Sequence, residues 1–165
     1  MARSADGGAA TGLGKRAARH TRAALLLQVD GTPGARPRGI AGLGIVVRDL
    51  AGNVLTWRCQ QAPAMTNNEA EYQAVIAGLE LMLRHYPGAP VRCLTDSRIA
   101  VEQILGRSAV RAAALRPLHA RATLLARQFD EITFVAIPRE LNRLADALAW
   151  EALVGRAGIA RDGGP

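Results

Sequence analysis

Four acidic residues stand in short contexts that suit shared chemistry. Asp30 lies in Leu27-Gln28-Val29-Asp30-Gly31, and Asp96 in Cys93-Leu94-Thr95-Asp96-Ser97. Glu71 lies in Thr66-Asn67-Asn68-Glu69-Ala70-Glu71-Tyr72, and Asp146 in Asn142-Arg143-Leu144-Ala145-Asp146-Ala147. The first two end apolar runs that read as strands. The other two fall in the opening turns of candidate helices. Carboxylates gathered at one point repel and raise one another's pKa. A fold tolerates this where divalent cations fill the site, since hard cations such as Mg2+ take oxygen ligands. Two cations sharing carboxylates can drive in-line displacement at a phosphate. The pattern therefore points to metal-assisted phosphodiester chemistry. Each acid alone has a plainer explanation. Asp30-Gly31 is a common turn pair, Asp96-Ser97 can cap a helix, and acids in first helical turns gain from the helix dipole. Glu69 already completes a capping box with Thr66, which leaves Glu71 without a structural task.

The elements that must position these acids follow from periodicity and turn chemistry. Residues 23–29, 40–47 and 54–59 are apolar runs expected as strands, the last two joined by a Gly- and Asn-containing hairpin turn at Arg48-Asp49-Leu50-Ala51-Gly52-Asn53. Residues 31–39 are rich in Pro and Gly and read as loop. The Thr66 capping box opens a helix whose apolar positions are Tyr72, Val75, Ile76, Leu79, Met82 and Leu83, ended at Tyr86-Pro87-Gly88. A strand is expected over 91–95, then a short helix capped by Ser97 and running to about Leu105. Pro117 suits the start of another helix, with the stripe Leu118, Ala122, Leu125 and Phe129. A last strand over 132–137 is broken by Pro138-Arg139-Glu140, and Asn142 can cap a final helix through Val154. The order is an antiparallel meander followed by helical crossovers, which implies an α/β fold with a mixed sheet and helices on its faces. The expected organisation is a basic, unstructured tail over 1–22, one domain over 23–157 and a frayed end over 158–165.

At 165 residues the chain holds one domain's worth of sequence, and its 49% hydrophobic content fits a globular core made mostly of Leu, Val, Ile and Ala, since aromatics are only 4%. The formal net charge of +7 favours a polyanionic partner. The basic residues are almost all Arg, with Lys15 the only lysine. Arg suits bidentate phosphate contacts, and a G- and C-rich genome would produce the same bias. Residues 1–22 hold five Lys or Arg against Asp6, so they carry +4 of the +7. That segment is either a nucleic-acid arm or a solubilising leader. Cys59 and Cys93 lie inside expected strands, with no metal-ligand spacing, and read as buried free thiols in a reducing compartment. No apolar run approaches a membrane span, and no signal core opens the chain. A cytoplasmic location without membrane contact is the expectation.

Taken in order, Val29-Asp30-Gly31, the Thr66-Asn67-Asn68-Glu69-Ala70-Glu71 helix start, Thr95-Asp96-Ser97 and Asn142-Arg143-Leu144-Ala145-Asp146-Ala147-Leu148-Ala149 resemble type 1 ribonuclease H. The likeness is to its short archaeal-like, or reverse-transcriptase-like, branch without the basic protrusion, and covers about 24–154. The resemblance implies a ribonuclease H-like fold, a mixed five-stranded sheet with helices on both faces, and an endonuclease that cuts the RNA strand of RNA/DNA hybrids. By the same resemblance Asp30, Glu71, Asp96 and Asp146 hold two Mg2+ ions, with Mn2+ as the substitute, and no organic cofactor is needed. One ion activates a water and the other stabilises the leaving 3′-oxygen. The implied nucleic-acid contacts are Gly31, Thr32, Arg36, Thr66, Asn67, Asn68, Arg98 and Arg139, with Asn67 near a ribose 2′-hydroxyl. Double-stranded RNA is a second partner to consider. The chain also departs from the family. The first loop reads Gly34-Ala35-Arg36-Pro37-Arg38-Gly39 and lacks the usual Asn; Arg98 replaces a common Gln; and the loop before Asp146 has no histidine. Residues 105–128 carry Arg107, Arg111, Arg116, Arg121 and Arg127 without one acid. The alternatives are a hybrid or double-stranded RNA binding module of the same fold, weak or inactive in catalysis, and another nuclease of the superfold such as a 3′ exonuclease.

Overall fold

The computed structural model describes residues 23–33, 39–155 and 161–163. The basic tail over 1–22 and the contact expected of Arg36 lie outside the described residues. Three strands come first: β1 (Leu25–Thr32), β2 (Ile40–Arg48) and β3 (Val54–Pro63). Helix α1 (Asn67–His85), strand β4 (Val91–Thr95), helices α2 (Arg98–Ile104) and α3 (Leu115–Ala126), strand β5 (Ile132–Ala136), a 3-10 turn (Arg139–Leu141) and helix α4 (Arg143–Val154) follow. The sheet order is β5-β4-β1-β2-β3, extended by a short sixth strand β6 (Arg161–Gly163) beside β3. β1, β2 and β3 form the antiparallel meander, while β4 and β5 join parallel to β1. This is the mixed five-stranded ribonuclease H-like sheet that the resemblance implied. β6 is an addition, in a stretch read from sequence as frayed: it pairs antiparallel with Trp57, Arg58 and Cys59, and Thr56 Oγ1 donates to the Gly163 carbonyl at 3.2 Å. Among the described residues no helix is long and apolar enough to cross a membrane.

The two faces of the sheet are built differently, and the difference places the acids. Leu25, Leu27, Val29, Leu43, Ile45, Val47 and Cys93 point to one face, where they form the main core with α1 residues Tyr72, Val75, Ile76, Leu79 and Met82. Burial pushes the Cys93 thiol up to about 12, so it behaves as a core side chain. Gln28 and Asp30 alternate to the opposite face, which α4 covers. Asp30 pairs there with Gly44 of β2. A β-carbon on Gly44 would run into the Ala145 carbonyl of α4, and one on Gly31 into the Ala70 carbonyl of α1. These two glycines let both helices approach β1 and β2 closely beside Asp30, each helix bringing an acid of its own.

Several local expectations change. β1 continues through Asp30, Gly31 and Thr32, so Asp30 belongs to a strand with antiparallel partners and not to a turn. The Asp49–Asn53 hairpin forms as expected, with Asn53 N–H on Asp49 Oδ1 at 2.9 Å. The Thr66–Glu69 capping box also forms, both reciprocal bonds being present. Asn142 occupies the N-cap position of α4 but its side chain caps nothing there. His119 is half-buried in α3. Its Nε2 lies 3.1 Å from the Gln103 carbonyl, and its ring stands edge-on to Tyr72, whose hydroxyl donates to Gln103 Oε1 at 2.9 Å. Replacing Gly44 with Ala should overpack the β2–α4 contact and cost about 1–3 kcal/mol. A lowered urea midpoint with an unchanged m-value would show it; an unshifted midpoint would mean that α4 can retreat without penalty.

Candidate active site

The site lies where the parallel strands β1 and β4 end, the edge at which open α/β sheets bind ligands. β1 delivers Asp30, and Asp96 follows directly after β4. Glu71 arrives from the second turn of α1. Its height is set by the capping box, which fixes where the helix starts, and by the close contact of Gly31 with Ala70. One carboxylate oxygen from each of Asp30, Glu71 and Asp96 lies within 4.8 Å of the other two. Asp30 and Glu71 are only 5% and 7% exposed. These two acids are held up in pKa by distinct causes. Burial comes first for Asp30, then the charges of Asp96 and Asp146 and a hydrogen bond shared with Asp96; Arg139 opposes them, and the result is about 7. For Glu71 burial again leads, followed by the charges of Asp30 and Asp96, and the result is about 8 although Gly31 N–H and the Thr95 hydroxyl donate to it.

Asp146, from the first turn of α4, faces the same cleft but stands outside the trio. Its Oδ1 pairs with Arg139 Nη2 at 2.7 Å, and both side chains are substantially exposed. The turn that carries Arg139 is itself tied to β1: Gln28 Nε2 donates to the Leu141 carbonyl at 2.8 Å, and Arg48 Nε holds Gln28 Oε1 at 2.8 Å.

The cleft has a volume of about 380 Å3. Gly31, Thr32, Asn67, Asn68, Arg98 and Arg139 line it together with the four acids. Thr66 does not; its hydroxyl and N–H are engaged with Glu69. Ser97 and the half-exposed Ile99 also line the cleft, and sequence reasoning missed Ile99 altogether. No histidine is among the lining residues. Of the Arg-rich stretch, Arg107 pairs with Glu102, and Arg121 with Glu80, so part of that charge is spent on neighbouring acids.

This donor set fits a hard divalent cation. Three oxygen ligands converge, two of them too buried to ionise freely at neutral pH, and Glu71 Oε2 is buried without a hydrogen-bond partner. A bound cation would supply the missing partner and reverse the pKa pressure.

A mixed sheet that converges acids at the ends of its parallel strands, with helices on both faces, defines a ribonuclease H-like protein. The chain belongs to the reverse transcriptase-like family, whose model matches residues 28–152. It is 35% identical over 130 residues to a bifunctional protein of Mycobacterium tuberculosis, a match that covers 78% of this chain and 35% of that protein, so the chain spans about a third of that relative's length. The structure is similar to that of RNase H1 from the archaeon Halobacterium salinarum, with a TM-score of 0.73 and 31% identity over 79% of this chain and 98% of that one. It is also similar to LC11-RNase H1 in its complex with an RNA/DNA hybrid, with a TM-score of 0.72 and 32% identity over 81% of this chain and 99% of that one.

The raised acids make a pH prediction for the protein stripped of metal. In the folded state Asp30 and Glu71 keep protons that the unfolded chain, with ordinary values of 3.8 and 4.5, has already released. Their contribution to stability is therefore complete below about pH 4 and is lost as pH rises through about 7 and 8. In EDTA the melting temperature should fall over that window, and Glu71→Gln should flatten the fall. A melting temperature that rose from pH 5 to 8 in the metal-free protein would contradict the burial of these charges.

Proposed function

We propose that this chain is a ribonuclease H, a metal-dependent endonuclease that hydrolyses the RNA strand of RNA/DNA hybrids. The observation that carries the reading is the convergence of Asp30, Glu71 and Asp96 in a cleft whose walls also hold Asp146, Asn67, Asn68 and Arg98. The names of the similar proteins support it, since one solved relative holds an RNA/DNA hybrid.

In this reading Asp30, Glu71 and Asp96 hold Mg2+, with Mn2+ as a substitute, and Asp146 completes a site for two ions. Bound cations supply Lewis-acid charge, which makes a water nucleophilic at neutral pH and stabilises the departing 3′-oxygen. The protein's own residues position the substrate. Asn67, at the first position of α1, is fixed by the capping box beside it and offers amide groups to a ribose 2′-hydroxyl, the atom that separates RNA from DNA. Arg98, at the first position of α2, and Arg139 on the 3-10 turn present guanidinium groups suited to phosphate. Arg139 also holds Asp146 at the cleft wall. Gly31 and Thr32 form the floor where the backbone of β1 meets the cleft.

Asp96→Asn should abolish cleavage and spare hybrid binding, because it removes a ligand charge and almost no volume. Three labelled duplexes form the panel: a hybrid, a DNA duplex with one embedded ribonucleotide, and all-DNA. The hybrid should be cut only with Mg2+ or Mn2+, and the other two should resist. Wild-type protein that binds the hybrid tightly and cuts nothing in either metal would instead make it a binding module. Efficient cutting beside the lone ribonucleotide would defeat the type 1 assignment.

A further inference from the structure

The parallel ladder between β1 and β4 stops at Gln28 and Leu94, short of the two aspartates that these strands deliver. The next backbone acceptor of β1, the Val29 carbonyl, takes its hydrogen bond from a side chain. Asn142, with no exposed surface, enters there from the start of α4. Its Nδ2 donates to the Val29 carbonyl at 2.9 Å and to Asp96 Oδ1 at 3.3 Å. Both neighbours are acceptors, so the amide orientation is dictated by them: its nitrogen has to face the gap. The consequence is that Asn142 Oδ1 is buried with no partner. A residue kept only to cap α4 would not carry that cost, and the side chain does no capping.

The Asn142 backbone reaches the remaining parts of the site. Its carbonyl accepts from Asp146 N–H at 3.0 Å, and its N–H donates to the Arg139 carbonyl at 2.9 Å. One residue thus contacts the strand end beside Asp30, the Asp96 carboxylate, the fourth acid and the turn that carries Arg139.

We infer that Asn142 is a positioning residue of the cation site: its buried amide sets the gap between the ends of β1 and β4 and fixes the Asp96 carboxylate there, so that the acids stand in place before the cation arrives. The inference rests on the reading of the trio as a cation site and goes beyond it, to what assembles that site. It acts by two physical routes. The amide N–H offsets part of the repulsion that Asp96 meets from Asp30 and Glu71. It also limits Asp96 to one rotamer, much as outer partners orient metal ligands elsewhere.

The test is Mg2+ titration of wild type and Asn142→Ala, followed by backbone amide shifts, with cleavage measured in parallel. The Mg2+ dissociation constant should weaken by about 10–100-fold, hybrid binding without metal should stay the same, and excess Mg2+ should recover cleavage. A side chain that only filled space would lower the melting temperature and leave the Mg2+ constant alone. A folded Asn142→Ala with wild-type Mg2+ affinity overturns the inference. If that variant does not fold, the 15N-labelled wild type decides: the Asn142 side-chain amide should exchange slowly with water and shift along the Mg2+ titration. Fast exchange, or a resonance that stays still while neighbouring amides move, overturns it. Failure of wild type to bind Mg2+ at all would remove the cation reading together with the inference, whereas normal wild-type binding and an unaltered variant would remove Asn142 alone.

Discussion

Carboxylates crowded at one edge of the sheet are the constraint around which the rest of this molecule is arranged. Asp30, Glu71 and Asp96 each bring an oxygen within 4.8 Å of the others, where their ionised forms repel. They meet because other forces put them there. Asp30 is fixed by a β1–β2 ladder that runs past it to Thr32 and Gly42. Glu71 is fixed by a helix whose buried face is spread over Tyr72, Val75, Ile76, Leu79 and Met82. Asp96 is held at the end of a strand paired on both sides. The apolar core on the α1 face thus sustains an electrostatically unfavourable edge, as expected where local strain persists only because its surroundings over-determine it.

Close backbone approach is the means. Gly31 lets α1 come down onto β1, and Gly44 lets α4 come down onto β2, both within a residue or one cross-strand pair of Asp30. Hydrogen bonds then settle the details. The Thr95 hydroxyl accepts from Ser97 N–H at 3.1 Å and donates to Glu71, which links the end of β4 to α1. Gln28 anchors the 3-10 turn from below. The site is therefore built on strands and helix termini, elements that hold geometry better than loops do.

The fourth acid obeys different electrostatics. Asp146 is partly exposed and paired with Arg139 at 2.7 Å, whereas Asp30 and Glu71 are buried. The Arg139 charge also pulls against the upward shift at Asp30. The cleft consequently has a buried end at Asp30 and Glu71 and a more exposed end at Asp146 and Arg139.

Much of this was legible in the sequence because it depends on near neighbours. Short apolar runs placed β1 to β5, the Thr66–Glu69 spacing placed the start of α1, and the order of four short motifs placed the acids at strand ends and helix starts. Where the sequence reading fell short, the cause was a contact far along the chain. β1 outruns its apolar pattern because the strand ladder with β2 continues through Asp30 and Gly31, residues whose local preference is a turn. β6 forms against the open edge of β3, a partner about a hundred residues earlier in the chain. Asn142 is the clearest case. Next to a helix start an Asn looks like a cap, yet its Nδ2 donates to an acceptor pair at Val29 and Asp96, 113 and 46 residues away, and its Oδ1 accepts from none of the helix N–H groups. Local propensity can nominate a residue for a role, but the partners that the fold brings within hydrogen-bond distance decide which role it takes, because a buried polar group is governed by the donors and acceptors around it and not by its position along the chain.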